Sequence, residues 1–73
     1  MVDTKRQIAD RVRGLMAEKR SSQQAIADLL GLSRQAVNAR FTYRAPWQAW
    51  ELHTLSQHWG VPVARFYPEV VAA

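Results

Sequence analysis

Cysteine is absent from this chain. Disulfides and thiolate metal sites are therefore excluded, and the absence fits a reducing cytoplasm. Long apolar runs are missing too: no segment approaches the ~20 apolar residues that a membrane-spanning helix needs. The opening M-V-D-T-K-R-Q-I-A-D has no apolar run behind its charges and does not read as a secretory signal. The expectation is a soluble, cytoplasmic protein with no membrane partner. There is no convincing period-two alternation, no hairpin dipeptide such as Asn-Gly, no repeat and no low-complexity tract. Acids are scarce: six stand against ten basic residues, a formal net charge of +4. That balance favours an anionic partner, nucleic acid ahead of membrane. The shortage is sharpest from Leu29 to Trp50, where three arginines occur without one acid. A phosphate-facing surface needs that local asymmetry more than it needs overall charge.

Reactive constellations are lacking as well. His53 and His58 are five apart rather than at the i, i+4 spacing of a helical metal pair, and carboxylates are scattered. Ser21, Ser22 and Ser33 fall at helix-capping positions, and nothing indicates that either histidine is set to activate a serine, so a nucleophilic triad is unsupported. No phosphate loop is present. The expectation is a protein that is not an enzyme and that holds neither metal nor cofactor.

What is present is helical periodicity. Seventy-three residues make one small domain, 1–73, stabilised by apolar packing and, where available, self-association. Asp3 or Thr4 caps a first helix whose inner face is Ile8, Val12, Leu15 and Met16 and whose outer face is mainly basic. Gly14 inside it suggests a close helix approach. Ser21 or Ser22 caps a second helix with Ala25, Ile26, Leu29 and Leu30 inward. Gly31 ends it, because glycine takes the left-handed conformation without steric cost. Ser33 caps a third helix, running from Arg34 to about Thr42 with Ala36, Val37 and Phe41 inward. Pro46 opens a fourth helix, bearing Trp47, Trp50, Leu52, Leu55 and Trp59. Gly60 closes it, and Val61-Pro62 begins a fifth, with Val63, Phe66 and Tyr67, ended by Pro68. Residues 68–73 either fray or meet a second copy. Trp50 and Trp59 read as core, whereas Trp47 reads as partly exposed.

Counted from Gln23, alanine falls at the fifth position (Ala27), glycine at the ninth (Gly31) and valine at the fifteenth (Val37), with Ile26, Leu30 and Leu32 between. Ala27 is small where two helices cross, Gly31 makes the turn, and Val37 fills the space between the helices. That spacing makes a helix-turn-helix over about 22–42, whose second helix can lie in the DNA major groove. Gln23-x-x-x-Ala27-x-x-x-Gly31-Leu32-Ser33-x-x-x-Val37 resembles the helix-turn-helix of Cro and phage-repressor proteins, the xenobiotic-response-element family. The first helix, I-A-D-R-V-R-G-L-M-A-E-K-R, and Leu52-x-x-Leu55-x-x-x-Trp59-Gly60-Val61-Pro62 resemble that family's flanking helices, so the likeness runs from about Ile8 to Tyr67. It implies an all-α, five-helix lambda-repressor-like domain. It also implies a small transcriptional regulator, Cro-like or repressor-like, that reads an operator in double-stranded DNA. One position departs: the eighteenth, usually apolar in the family, is Arg40 here. Phe41 is expected to take over its packing while Arg40 snorkels with its head outward, which leaves the rotation of the third helix open.

On that rotation depends the reading face. Arg34, Gln35 and Asn38 lie on the outer side of the third helix and suit base edges. Arginine donates twice to guanine, and Gln or Asn pairs with adenine. Ala39 offers a methyl to thymine. Gln23 resembles the family's backbone-contacting glutamine and sits at a helix N-terminus, which favours anions. Ser33, Thr42, Tyr43 and Arg44 are further backbone candidates. Trp47, Phe66, Tyr67 and Val70 are the candidates for a homodimer contact, weak in free solution, that would set two reading helices ~34 Å apart on a palindromic operator. The rival function is a protein-interaction module or antitoxin-like partner working through Trp47 and the Phe66–Val71 surface.

Overall fold

The chain in its computed structural model is described over residues 3–68. Four α-helices follow one another: α1 (Thr4–Glu18), α2 (Gln23–Leu30), α3 (Arg34–Phe41) and α4 (Ala49–Trp59). A 3₁₀ turn at Val63–Phe66 closes the order. No strand occurs among the described residues.

The expected caps are resolved residue by residue. Asp3, not Thr4, accepts the Arg6 N–H at 3.1 Å. Ser22, not Ser21, accepts that of Ala25 at 3.1 Å, and Ser33 accepts that of Ala36 at 3.1 Å. Each satisfies a first-turn donor that has no partner inside its own helix. Gly31 ends α2 with φ 69°, the left-handed geometry that lets the chain turn at once into α3.

The five expected helices are corrected to four and a short turn. After Gly60 the chain makes only the four-residue 3₁₀ turn. Tyr67 then has extended backbone angles, φ −100° and ψ 147°, as a residue before proline prefers. The start of α4 is corrected as well. Pro46 does not open it; the helix begins at Ala49, with Gln48 as N-cap. Glu51 Oε1 accepts the Gln48 N–H at 2.8 Å, the returning half of a capping box.

That later start exchanges the roles of two tryptophans. Trp47 precedes the helix and is buried, its ring edge-on to Phe41 at 5.4 Å between centroids. Trp50, on the first turn of α4, is 52% exposed. Trp59 is half-buried and tilted against Phe66 at 6.3 Å. One apolar cluster joins Val12 and Leu15 of α1, Ile26 and Ala27 of α2, Val37 and Phe41 of α3, Leu52 and Leu55 of α4, and Phe66 of the 3₁₀ turn. Ala9 belongs to it although α1's period did not single it out, whereas Ala25 and Leu29 are exposed rather than inward. Gly14 is exposed, and a Cβ built there would meet nothing within 4 Å. No helix approaches closely at that point.

Arg40 is the largest correction. Its head does not point outward. Its Nε and Nη2 donate to Glu51 Oε1 and Oε2 at 2.9 and 2.8 Å, and its Nη1 donates to the Ala36 carbonyl at 2.8 Å. Glu51 is fully buried. An ion pair between α3 and α4 thus stands where the sequence resemblance led us to expect an apolar residue, because a charge taken out of water needs a partner of opposite sign.

Candidate nucleic-acid interface

Leu32 N–H bonds the Ala27 carbonyl at 3.0 Å across the turn. Ala27 and Val37 are almost wholly excluded from solvent where α2 and α3 meet. With those two side chains inward and Arg40 tied to α4, the rotation of α3 is fixed. Arg34 and Gln35 are exposed at its N-terminal end. Together with Gln23, Asn38 and Arg44 they line one open hollow.

Hydrogen bonds connect three of these five. Asn38 Nδ2 donates to Gln23 Oε1 at 3.4 Å, and Arg44 Nη2 donates to Asn38 Oδ1 at 3.3 Å. Arg44 Nε also donates to Thr42 Oγ1 at 3.0 Å. The Thr42 hydroxyl in turn donates to the Asn38 carbonyl at 2.9 Å, so it serves as an anchor for Arg44. Ser33 stays exposed beside Arg34, with its Oγ occupied as a cap.

Two expected contacts lie elsewhere. Tyr43 does not line the hollow. Its backbone is left-handed, φ 65°, and its ring is turned to α1. There its hydroxyl bonds Asp10, Arg13 Nη1 donates to that hydroxyl at 3.1 Å, and the Arg6 guanidinium lies 4.4 Å from the ring centroid. Ala39 is half-buried, and its carbonyl accepts the Arg44 and Ala45 N–H groups at 2.9 and 3.2 Å.

Of the residues offered for a second copy, Trp47 and Phe66 are interior, which corrects both and removes them equally from a protein-docking surface. Both fill the core that small size leaves this chain to build. Tyr67 is 39% exposed; Val70 and Val71 lie outside the described residues.

Charge is distributed to match. The ion pairs of the described residues are Arg13–Asp10 at 3.2 Å, Arg40–Glu51 at 2.8 Å and Arg65–Glu18 at 3.4 Å. Arg34 and Arg44 have no carboxylate partner among them. No group of three or more His, Cys, Asp or Glu side chains that could hold a metal ion occurs among the described residues. Nor is any helix there long and apolar enough to cross a membrane.

The Arg40–Glu51 pair and the Gln23–Asn38–Arg44 relay were not anticipated from the sequence. For the pair a signal existed: an arginine at a normally apolar position calls for an acid, and Glu51 is the first acid after it. The relay has no sequence signal, since it depends on where Arg44 returns after the Thr42–Tyr43 turn.

These elements together define an all-helical fold with a helix-turn-helix geometry at α2–α3. The fold is shared with a transcriptional regulator from Listeria innocua of known crystal structure. The two agree with a TM-score of 0.79 at 18% sequence identity, over 92% of this chain and 63% of the regulator's chain. The chain therefore spans under two thirds of that regulator. No protein-family model matches the sequence, and no curated protein matches it.

Proposed function

We propose that this chain is a small transcriptional regulator that binds double-stranded DNA, seating α3 in the major groove of an operator. One observation carries the reading. Arg34 and Gln35 stand exposed at the start of α3, in the same hollow as Gln23 and Arg44, and neither arginine is neutralised by a carboxylate of the described residues. Arg34 and Gln35 supply the donor and acceptor sets that distinguish base pairs, at the end of the helix that touches base edges. Gln23, Arg44 and Ser33 hold the phosphate backbone on either side. Two copies on a palindromic operator place their α3 helices one turn apart, ~34 Å, and among the described candidates for their contact Tyr67 is exposed.

Selection of bound duplexes from a random library tests this directly. The expected product is a defined site, an inverted repeat if two copies bind, held far more tightly than its scrambled counterpart. Equal affinity for the selected and scrambled duplexes overturns the proposal.

A further inference from the structure

Resting on the DNA-binding reading above, we infer that Asn38 is not a base reader but a positioning residue that turns Gln23 and Arg44 toward the DNA backbone as a matched pair of donors. The inference follows from which atoms can face which. Arg44 carries only donors, so the Asn38 atom that meets it is the carbonyl oxygen Oδ1, at 3.3 Å. The Nδ2 end of the same amide then faces Gln23, and of the two Gln23 side-chain atoms only Oε1 can accept it, at 3.4 Å. The Gln23 Nε2 group is thereby left facing away from Asn38 with its donors outward. A phosphate oxygen only accepts, so this is the orientation that a backbone contact requires. The reversed amide would present an oxygen to an oxygen.

Gln23 is the first residue of α2, where the unpaired N–H groups of the helix end add to the attraction for an anion. Arg44 is steadied from its other side by Thr42 Oγ1 at 3.0 Å. Asn38 is half-buried between the two, and each end of its amide already has a protein partner. Each end keeps one further position, but pairing bidentately with adenine needs both of those turned as one edge into the groove, and the bonds to Gln23 and Arg44 hold the amide between those two side chains instead. Base discrimination therefore falls to Arg34 and Gln35.

Two measurements test the assignment. The first is site selection and affinity for Asn38→Ala beside the unaltered chain. The expected result is the same base preferences at every position, with affinity weakened uniformly by roughly tenfold, the scale of hydrogen bonds to charged groups. A preference relaxed at one base pair makes Asn38 a reader and overturns the inference. The second uses the DNA-free protein. Arg44→Met is expected to shift the side-chain amide resonances of Gln23, which Arg44 reaches only through Asn38. In an Asn38→Ala background that response is expected to vanish. Gln23 resonances that ignore Arg44→Met overturn the relay, whatever the DNA result. If the unaltered chain prefers no duplex, the DNA reading falls, while these resonances still decide whether the relay exists.

Discussion

Arg40 and Glu51 bring opposite charges into a region where neither is stable alone. Glu51 is fully excluded from solvent, and the Arg40 side chain is 13% exposed. Both guanidinium bonds to the carboxylate are short and parallel, at 2.9 and 2.8 Å, the geometry in which arginine outperforms lysine. Removing one partner strands the other. Arg40→Ala is expected to cost ~3–5 kcal/mol in urea unfolding, close to the whole stability of a domain this small. Replacing both, Arg40→Met with Glu51→Leu, is expected to restore most of that loss, because an apolar pair of similar volume is often as stable as a buried ion pair. The shortfall should be about 1 kcal/mol for the Gln48 cap that Glu51 also provides. A single variant as stable as the parent would show that the pair carries no weight. The direction of Arg40 was missed, although Glu51 is the first acid after it, because that partner lies on the next helix, beyond a proline break.

At the scale of the element, the two glycines of the N-terminal half do opposite things. Gly31 sits at φ 69° with nothing within 4 Å of a built Cβ. The cost of Gly31→Ala is therefore conformational rather than steric, ~1–2 kcal/mol. Gly14 lies inside α1 with equally open surroundings and no such angle, so Gly14→Ala should stabilise by ~0.5–1 kcal/mol through helix propensity. Thermal unfolding of the two variants should move in opposite directions; a destabilised Gly14→Ala would contradict the open surroundings. The first three helices were legible because each carries a side-chain cap, and the middle one also ends on a glycine. α4 was misjudged because Pro46 is a plausible first-turn residue, whereas the signal that decides is the Gln48-x-x-Glu51 spacing. Moving the start to Ala49 rotates the pattern, which places Trp47 in the core and Trp50 in solvent. The last segment was misjudged because its apolar spacing suits a helix, but between Gly60 and Pro68 there is room only for a single anchoring turn around Phe66.

For the whole molecule, the formal charge of +4 is a poor guide to DNA binding. What matters is which cations remain unpaired on the face that meets phosphate. Arg40 lies within the acid-free run from Leu29 to Trp50 yet is neutralised by Glu51, so the run overstates the charge of the proposed interface by one. Arg44 and Arg34 remain. The dependence of affinity on salt counts such charges, because each neutralised phosphate releases ~0.9 of a counterion. Arg44→Ala is therefore expected to lower the magnitude of the log K against log salt slope by ~0.9 while leaving base preference intact. Arg34→Ala should cost ~1–3 kcal/mol at fixed salt and relax preference at one position. The Arg40→Met, Glu51→Leu pair removes a positive charge from the sequence but none from the interface, so its slope should match the parent. Fluorescence anisotropy titrations of the three variants across a salt series separate these cases. A slope that falls in the double variant as it does in Arg44→Ala would mean that Arg40 leaves Glu51 to meet phosphate on the DNA, and that the ion pair is a state of the free protein alone.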